Sequence, residues 1–204
     1  MKIKRLVIGT SNPGKVKEWK FFLKGVIPVV SVSDIGNFES PEETGKTFLE
    51  NAIQKAKYYS KLTNEYVLSE DGGFKVDYLG GLPGIKSRRI LPGDKDGTDK
   101  ELIDYILKKL DKVPKEKRKA RLVVTVVISD PKGKIIFQDK NQMEGVISEK
   151  ACLKLEEGYP YRSILFLPSL KKFYVELTDL EHKKYAHRKP IAKKISQFLL
   201  EYNK

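Results

Sequence analysis

The sequence contains little cysteine and little histidine. Cys152 is the one cysteine among 204 residues, so an internal disulfide is excluded. The two histidines, His182 and His187, stand five residues apart with no cysteine beside them, a pattern that does not fit a zinc site. No base stands beside Cys152 in the sequence, which favours an inert thiol over a nucleophile.

Long apolar runs are also absent. No segment approaches the roughly 20 apolar residues of a membrane helix. The first residues lack the hydrophobic region and the cleavage site of a signal peptide. Together with the scarcity of cysteine, these features predict a cytoplasmic protein. A Walker A loop, G-x-x-x-x-G-K-[ST], is missing as well.

Acidic residues are outnumbered by basic ones, which gives a formal net charge of +13. The basic residues are spread along the chain, and no aromatic-interleaved RNA-binding signature accompanies them. Nucleic-acid binding is therefore the weaker of two interpretations. The other is an enzyme with a small anionic substrate, which positive charge would attract.

The pattern of apolar residues predicts an α/β protein. An apolar run at 3–9, a helical spacing through Val16, Trp19 and Leu23, and a second run at 26–32 form a βαβ unit. Capping boxes begin helices at Thr47 and Thr98. Further predictions are a short strand at 66–69, a hairpin of 121–129 and 134–140 around an Asp-Pro-Lys-Gly turn, a β segment at 159–167 and a final helix. We expect one domain, 1–204, with a mixed central sheet and flanking helices.

The segment Thr10-Ser-Asn-Pro-Gly-Lys15 joins the first predicted strand to a helix. A helix start offers backbone N–H groups and a positive dipole end to a phosphate. Thr10 and Asn12 can add hydrogen bonds, and Lys15 adds a charge. A simple turn between strand and helix is the alternative interpretation.

Two acidic elements could serve a metal ion and a proton transfer. They are Glu42-Glu43 before one helix, and Glu70-Asp71 at the end of one strand. Magnesium prefers carboxylates, water and phosphate oxygens, and a carboxylate can take a proton from water. Gly72 and Gly73 would let the backbone turn near a ligand. Solvated acidic loops are the alternative.

His187-Arg188, at the start of the last predicted helix, could bind an anion or the edge of a nucleobase. The alternative is a basic helix end on the surface.

In this order, these segments resemble the inosine triphosphate pyrophosphatase family over about residues 6–200. The similar segments are the phosphate loop at 10–15, Glu43-Thr-Gly-Lys-Thr-Phe-Leu-Glu-Asn-Ala-Ile-Gln-Lys55, Ser69-Glu-Asp-Gly-Gly-Phe, Leu79-Gly-Gly-Leu-Pro-Gly-Ile-Lys-Ser87 and Ala186-His-Arg188. The resemblance implies an elongated, two-lobed α/β fold with a central cleft, usually dimeric.

By the same resemblance, the chain would hydrolyse deaminated purine nucleoside triphosphates (ITP, dITP, XTP) to the monophosphate and pyrophosphate. Asp71 would activate water, and Glu43 would hold Mg²⁺ together with Glu70 and Asp71. Other residues implied to contact the substrate are Thr10, Asn12, Lys15, Lys55, Gly72, Tyr161, Arg162, His182, His187 and Arg188.

The chain departs from the family pattern where a base would be recognised. Arg162 replaces an acidic residue, His182 replaces a lysine, and Ala186 replaces a serine. A polar pocket rejects a wrong base by leaving buried groups unpaired, so these changes predict an altered base preference. A nucleotide-binding protein of the same fold with lost turnover is the alternative function.

Overall fold

The protein is described here from a computed structural model, which covers residues 2–204. It contains a seven-stranded sheet in the order β2-β1-β3-β4-β5-β6-β7. The strands are β1 (Leu6–Ile8), β2 (Val29–Ser31), β3 (Val67–Val76), β4 (Lys119–Ser129), β5 (Ile135–Ile147), β6 (Leu165–Leu167) and β7 (Lys172–Phe173). Strand β1 pairs in parallel with β2 and β3, whereas β6 pairs antiparallel with β5 and β7. The predicted mixed sheet is confirmed.

Five α-helices accompany these strands in the described part of the chain. They are α1 (Pro13–Phe22), α2 (Phe48–Thr63), α3 (Asp99–Lys109), α4 (Asp179–Tyr185) and α5 (Lys189–Tyr202). The predicted N-caps are confirmed, because the hydroxyls of Thr47 and Thr98 accept from the backbone N–H three residues later. Over the residues described, none of the helices has both the length and the apolar character needed to cross a bilayer.

The chain forms two compact units. The first comprises the described residues up to Asp71, with Val124–Asn141 and His187–Lys204, and the second comprises Gly72–Val123 with Gln142–Ala186. In the first unit, even-numbered residues of β1, β3 and β4 pack with α1 and α5, and odd-numbered ones pack with α2. The second unit has its own core around α3, β6 and Tyr174.

Several predicted strands differ in extent from the observed ones, and the one predicted at 134–140, for example, is observed as Ile135–Ile147. The second strand covers only Val29–Ser31. The short strand predicted at 66–69 continues to Val76, so Glu70 and Asp71 lie within it and the predicted turn at Gly72-Gly73 is wrong. Glycine is as compatible with extended backbone as with a turn. In the β segment predicted at 159–167, Pro160–Ser163 forms a 3₁₀ turn and only Leu165–Leu167 is a strand, since proline removes a backbone donor.

Candidate active site

The candidate active site begins where the chain leaves β1. Gly9 lies so close to β3 that a Cβ atom there would be 2.4 Å from Ser69 Oγ, so this position requires glycine. The Gly9 N–H donates to Leu68 O at 2.9 Å. Strand β1 ends here while β3 continues. Glu70 and Asp71 therefore lie on β3 just beyond the end of β1, next to the loop that leads into α1.

Asn12 organises that loop by capping α1. Its side-chain oxygen accepts from the Lys15 N–H at 3.2 Å, and its own N–H donates to Thr10 Oγ1 at 3.2 Å. Pro13 follows and has no N–H. The helix start thus offers fewer backbone donors to a phosphate than the sequence predicted. The Lys15 ammonium and the amide nitrogen of Asn12 are among the donors that remain.

Glu70 and Asp71 are consecutive residues of β3, so their side chains point to opposite faces of the sheet. The neighbouring residues follow the same alternation, because Leu68 packs with α1 and α5 and Val67 packs with α2. Each carboxylate consequently belongs to a different group of side chains, although the two are adjacent in sequence.

Glu70 is 1% exposed and lies in a network of buried charges. Arg188 donates to both of its oxygens, from Nε at 2.8 Å and from Nη2 at 2.6 Å. The Trp19 indole N–H donates to Glu70 Oε2 at 2.7 Å. Arg188 Nη1 also lies 2.6 Å from Glu18 Oε2, and Lys15 Nζ lies 3.6 Å from Glu70 Oε1. One guanidinium thus joins two buried glutamates.

The charges in this network determine the protonation of Glu70. Burial raises its pKa, but the positive charges of Arg188 and Lys15 and the Arg188 hydrogen bonds outweigh burial and lower the pKa to about 2. Burial lowers the pKa of the Lys15 ammonium, against the opposing effect of Glu70. Glu70 is therefore ionised throughout the physiological pH range.

His187 precedes this arginine and is also buried. Its carbonyl oxygen accepts from Asn141 Nδ2 at 2.8 Å, and its Nε2 lies 3.3 Å from Arg188 Nη1. His187 and Arg188 belong to the interior of the first unit, and the surface helix end considered as an alternative is wrong.

Asp71 lies among polar residues of α2 and of the segment that precedes it. The Asn51 amide donates to Asp71 Oδ2 at 3.1 Å. Lys55 Nζ lies 3.6 Å from Asp71 Oδ1 and donates to Glu43 Oε1 at 2.6 Å. The Lys55 ammonium thus contacts both the Glu43 and the Asp71 carboxylates, and it is itself largely buried.

Burial raises the pKa of Asp71 above its ordinary value, and the opposing charges of Lys55 and Lys15 do not cancel this effect. Burial also lowers the pKa of Lys55, but the carboxylates of Asp71 and Glu43 outweigh it and raise that pKa. Asp71 therefore accepts a proton more readily than an exposed aspartate does, while Lys55 stays charged.

The donors around Lys55 suit a magnesium ion that shares a substrate. Magnesium is commonly held by one or two carboxylates together with waters and phosphate oxygens. Glu43 and Asp71 supply two carboxylates that already contact one cation. Across residues 2–204 there is no cluster of three or more His, Cys, Asp or Glu side chains that could hold a metal ion alone. Both oxygens of Glu70 accept hydrogen bonds from Arg188. That Glu70 binds the metal stays a prediction, and such binding would have to occur alongside these two hydrogen bonds.

Four predicted site residues, Gly72, Tyr161, Arg162 and His182, belong to the second unit. Gly72 lies within β3. The Tyr161 ring stacks on Phe74 with centroids 4.7 Å apart, and its hydroxyl donates to Ser87 O at 2.5 Å. Tyr161 is thereby fixed in the core of this unit, and its predicted substrate contact stays a prediction.

Arg162 and His182 share an aromatic neighbour in the second unit. The Arg162 guanidinium lies 3.7 Å from the Tyr159 ring centroid and 5.0 Å from that of Tyr174. It also pairs with Glu156 at 2.9 Å. The His182 ring meets Tyr174 edge-on at 5.9 Å. Two of the three residues that depart from the family pattern thus adjoin one tyrosine.

Comparison with known proteins identifies the family. The sequence profile of the Ham1 family matches residues 6–198. The chain belongs to the Ham1 family. Among its relatives, a Bacillus subtilis (strain 168) protein named dITP/XTP pyrophosphatase is 38% identical over 97% of this chain and 98% of the relative. A Leuconostoc mesenteroides protein of the same name is 36% identical over 90% of each chain.

Solved Ham1 structures have the same fold. The Staphylococcus aureus Ham1 protein superposes with a TM-score of 0.80 at 30% identity, over 98% of this chain and 100% of that one. The Coxiella burnetii HAM1 protein gives 0.81 at 26% identity over the same shares. The predicted family and α/β fold are both confirmed.

This Ham1 chain places nine of the thirteen predicted site residues in the first unit. They are Thr10, Asn12, Lys15, Glu43, Lys55, Glu70, Asp71, His187 and Arg188. Further residues that the sequence did not indicate contact them, among them Glu18, Trp19 and Asn51. The spacing of Asn51 and Lys55, one helical turn apart, could have indicated Asn51. Trp19 was assigned to the apolar side of α1, and nothing in the sequence marked its N–H.

Proposed function

We propose that this Ham1 chain is a magnesium-dependent pyrophosphatase that hydrolyses deaminated purine nucleoside triphosphates to the monophosphate and pyrophosphate. The observation that carries the proposal is the grouping of two lysines with two carboxylates. Lys55 contacts both Glu43 and Asp71, and the charge of Lys15 acts on Asp71 as well. Relatives named dITP/XTP pyrophosphatase, at 38% and 36% identity, support this substrate class.

The two lysines are the residues that would hold the triphosphate. A triphosphate carries several negative charges, and each lysine supplies a compact positive charge. The amide nitrogen of Asn12 can donate to a phosphate oxygen, since the amide oxygen already caps α1. Preorganised cations of this kind stabilise the charge that develops on the phosphates during bond cleavage.

Asp71 is the proposed general base. Water would attack the α-phosphorus, and its proton would pass to the Asp71 carboxylate as the bond to pyrophosphate breaks. Burial favours this transfer because it raises the pKa of Asp71. The contact with Lys55 holds the carboxylate beside the proposed phosphate ligands.

Glu43 and Asp71 are the residues proposed to hold Mg²⁺, which would supply a positive charge to offset the negative charge of the phosphates. Lys55 contacts both of these carboxylates. A triphosphate would give the lysine a new anionic partner. We propose that Glu70 and Arg188 support the site through their mutual contacts. The residues proposed to contact the base are His187, Tyr161, Arg162 and His182.

The test is a panel of nucleoside triphosphates with the purified protein. Standard and deaminated purine and pyrimidine triphosphates would each be incubated with Mg²⁺ and, in parallel, with a chelator. We expect pyrophosphate from at least one deaminated purine substrate, and loss of that activity on chelation. Calorimetric binding without pyrophosphate release would favour a nucleotide-binding protein instead. Failure of every substrate to bind or react, across metals and pH, would refute both.

A further inference from the structure

Asn51, a polar side chain of the first unit, contacts Asp71 and the segment that follows Glu43, and the scheme above gives it no role. Asn51 lies on α2 and is 3% exposed. Its amide nitrogen donates to Asp71 Oδ2 at 3.1 Å, and its amide oxygen accepts from the Gly45 N–H at 2.8 Å. Gly45 stands two residues after Glu43. Asn51 therefore links the segment carrying one carboxylate to the other carboxylate.

The backbone contact fixes which way the Asn51 amide faces. A backbone N–H can only donate, so the atom facing Gly45 must be the amide oxygen. The amide nitrogen must then face Asp71. Gly45 also has no room for a side chain, because a Cβ atom would lie 2.4 Å from Asn51 Oδ1. The close packing holds the amide in a single orientation.

This inference rests on the proposed function, in which Asp71 takes the proton of the attacking water. One oxygen, Oδ2, accepts from Asn51, and the other, Oδ1, faces Lys55. A rotation of the carboxylate would break both contacts. We propose that Asn51 is a positioning residue that holds the Asp71 carboxylate in the orientation required for proton transfer, and that it does so by a hydrogen bond to Oδ2.

Gln54 provides a matched control on the same helix. Its amide bonds to Thr44, next to Gly45, through Gln54 Nε2 to Thr44 Oγ1 at 2.8 Å and Thr44 N to Gln54 Oε1 at 3.3 Å. Both amides therefore tie α2 to the segment after Glu43. Of these two side chains, only that of Asn51 also contacts Asp71. If Asn51 served only to hold this segment in place, Gln54→Ala would have the same effect as Asn51→Ala.

The experiment compares Asn51→Ala, Asn51→Asp and Gln54→Ala with the wild type. Asn51→Asp keeps an oxygen for the Gly45 N–H but cannot donate when ionised, and Asn51→Ala removes the donor without adding charge. We expect both Asn51 variants to lower kcat by about 10- to 100-fold with KM changed less than about threefold, because misplacing a catalytic group slows the chemical step. Gln54→Ala should keep kcat within about twofold of the wild type.

Thermal unfolding of each variant checks that it is folded, and Asn51→Leu, which has nearly the shape of asparagine and adds no charge, takes the place of Asn51→Ala if that variant does not fold. Unchanged kcat in either folded Asn51 variant, or an equal loss in Gln54→Ala, would overturn the positioning role. A loss confined to Asn51→Asp would indicate charge repulsion and would overturn it as well. These outcomes require an active wild type. A wild type that releases no pyrophosphate would refute the proposed function itself.

Discussion

The Asp71→Asn variant is expected to lose about 10²- to 10⁴-fold of the wild-type turnover while it still binds the triphosphate, since general bases contribute about this much. Asparagine has nearly the shape of aspartate but cannot take up the proton of the attacking water. Lys15, Lys55 and Asn12, the proposed phosphate ligands, remain in place. Pyrophosphate release at saturating substrate measures the loss, and calorimetry measures the binding.

A second aspartate of the first unit provides the control for this variant. Asp130 lies in the turn between β4 and β5, where its side chain accepts from the backbone N–H groups of Lys132 and Lys134. Asparagine serves such turns as well as aspartate does, so Asp130→Asn should keep full activity. Asp71→Asn activity above about one tenth of the wild type would mean that another group accepts the proton.

Replacement of Arg188 by methionine is expected to lower the free energy of unfolding by about 3–5 kcal/mol. The change leaves Glu18 and Glu70 buried without the guanidinium that pairs with both. Because methionine can fill much of the space of the arginine side chain, the cost comes mainly from the two buried carboxylates that lose their guanidinium partner. Urea unfolding near neutral pH, with a chelator present, measures the change, and the fluorescence of Trp19, the one tryptophan, follows the transition.

The pH dependence of the free energy of unfolding distinguishes a loss of charge pairing in Arg188→Met from a loss of packing. The pKa of Glu70 is about 2 in the folded wild type against an ordinary 4.5, a difference of about 3 kcal/mol at 1.36 kcal/mol per unit. This contribution is fully present above pH 4.5 and is lost as the pH falls toward 2. In Arg188→Met, burial raises the pKa of Glu70 with less opposition, so the deficit should shrink as the pH falls from neutral toward 4.5, the ordinary pKa of this carboxyl.

The control for Arg188 is an exposed ion pair of α1. Lys20 pairs with Asp34 at 3.2 Å, and the two side chains are 46% and 50% exposed. Lys20→Met should therefore change the free energy of unfolding by less than about 1 kcal/mol. An Arg188→Met effect as small as this, or one that does not vary with pH, would show that the buried network contributes little to stability.

Much of the fold could be predicted because its signals are local. The apolar run ending at Ile8, the helical spacing around Trp19 and the caps at Thr47 and Thr98 each depend on a few neighbouring residues. The extension of β3 to Val76 could not be predicted in this way. Gly72-Gly73 suits a turn or a strand, and tertiary pairing decides between them.

The candidate site, like the fold, could be predicted from the sequence only in part. Local patterns indicated Lys15, Glu43 and Asp71, and the resemblance to a family added Lys55. The structure groups all four in one unit. The opposite faces of Glu70 and Asp71 follow only once both lie inside a strand. The partners of Glu70 could not be inferred, because Arg188 stands 118 positions away in the chain.

The central claim is that water attacks the α-phosphorus of a triphosphate held by this cluster. The most direct measurement is hydrolysis of dITP or XTP by the purified protein with Mg²⁺ in oxygen-18-enriched water, with both products analysed by mass spectrometry. The account predicts pyrophosphate without label and a nucleoside monophosphate carrying one labelled oxygen. Label in pyrophosphate, or release of orthophosphate and a diphosphate, would place the attack at another phosphorus and contradict the claim.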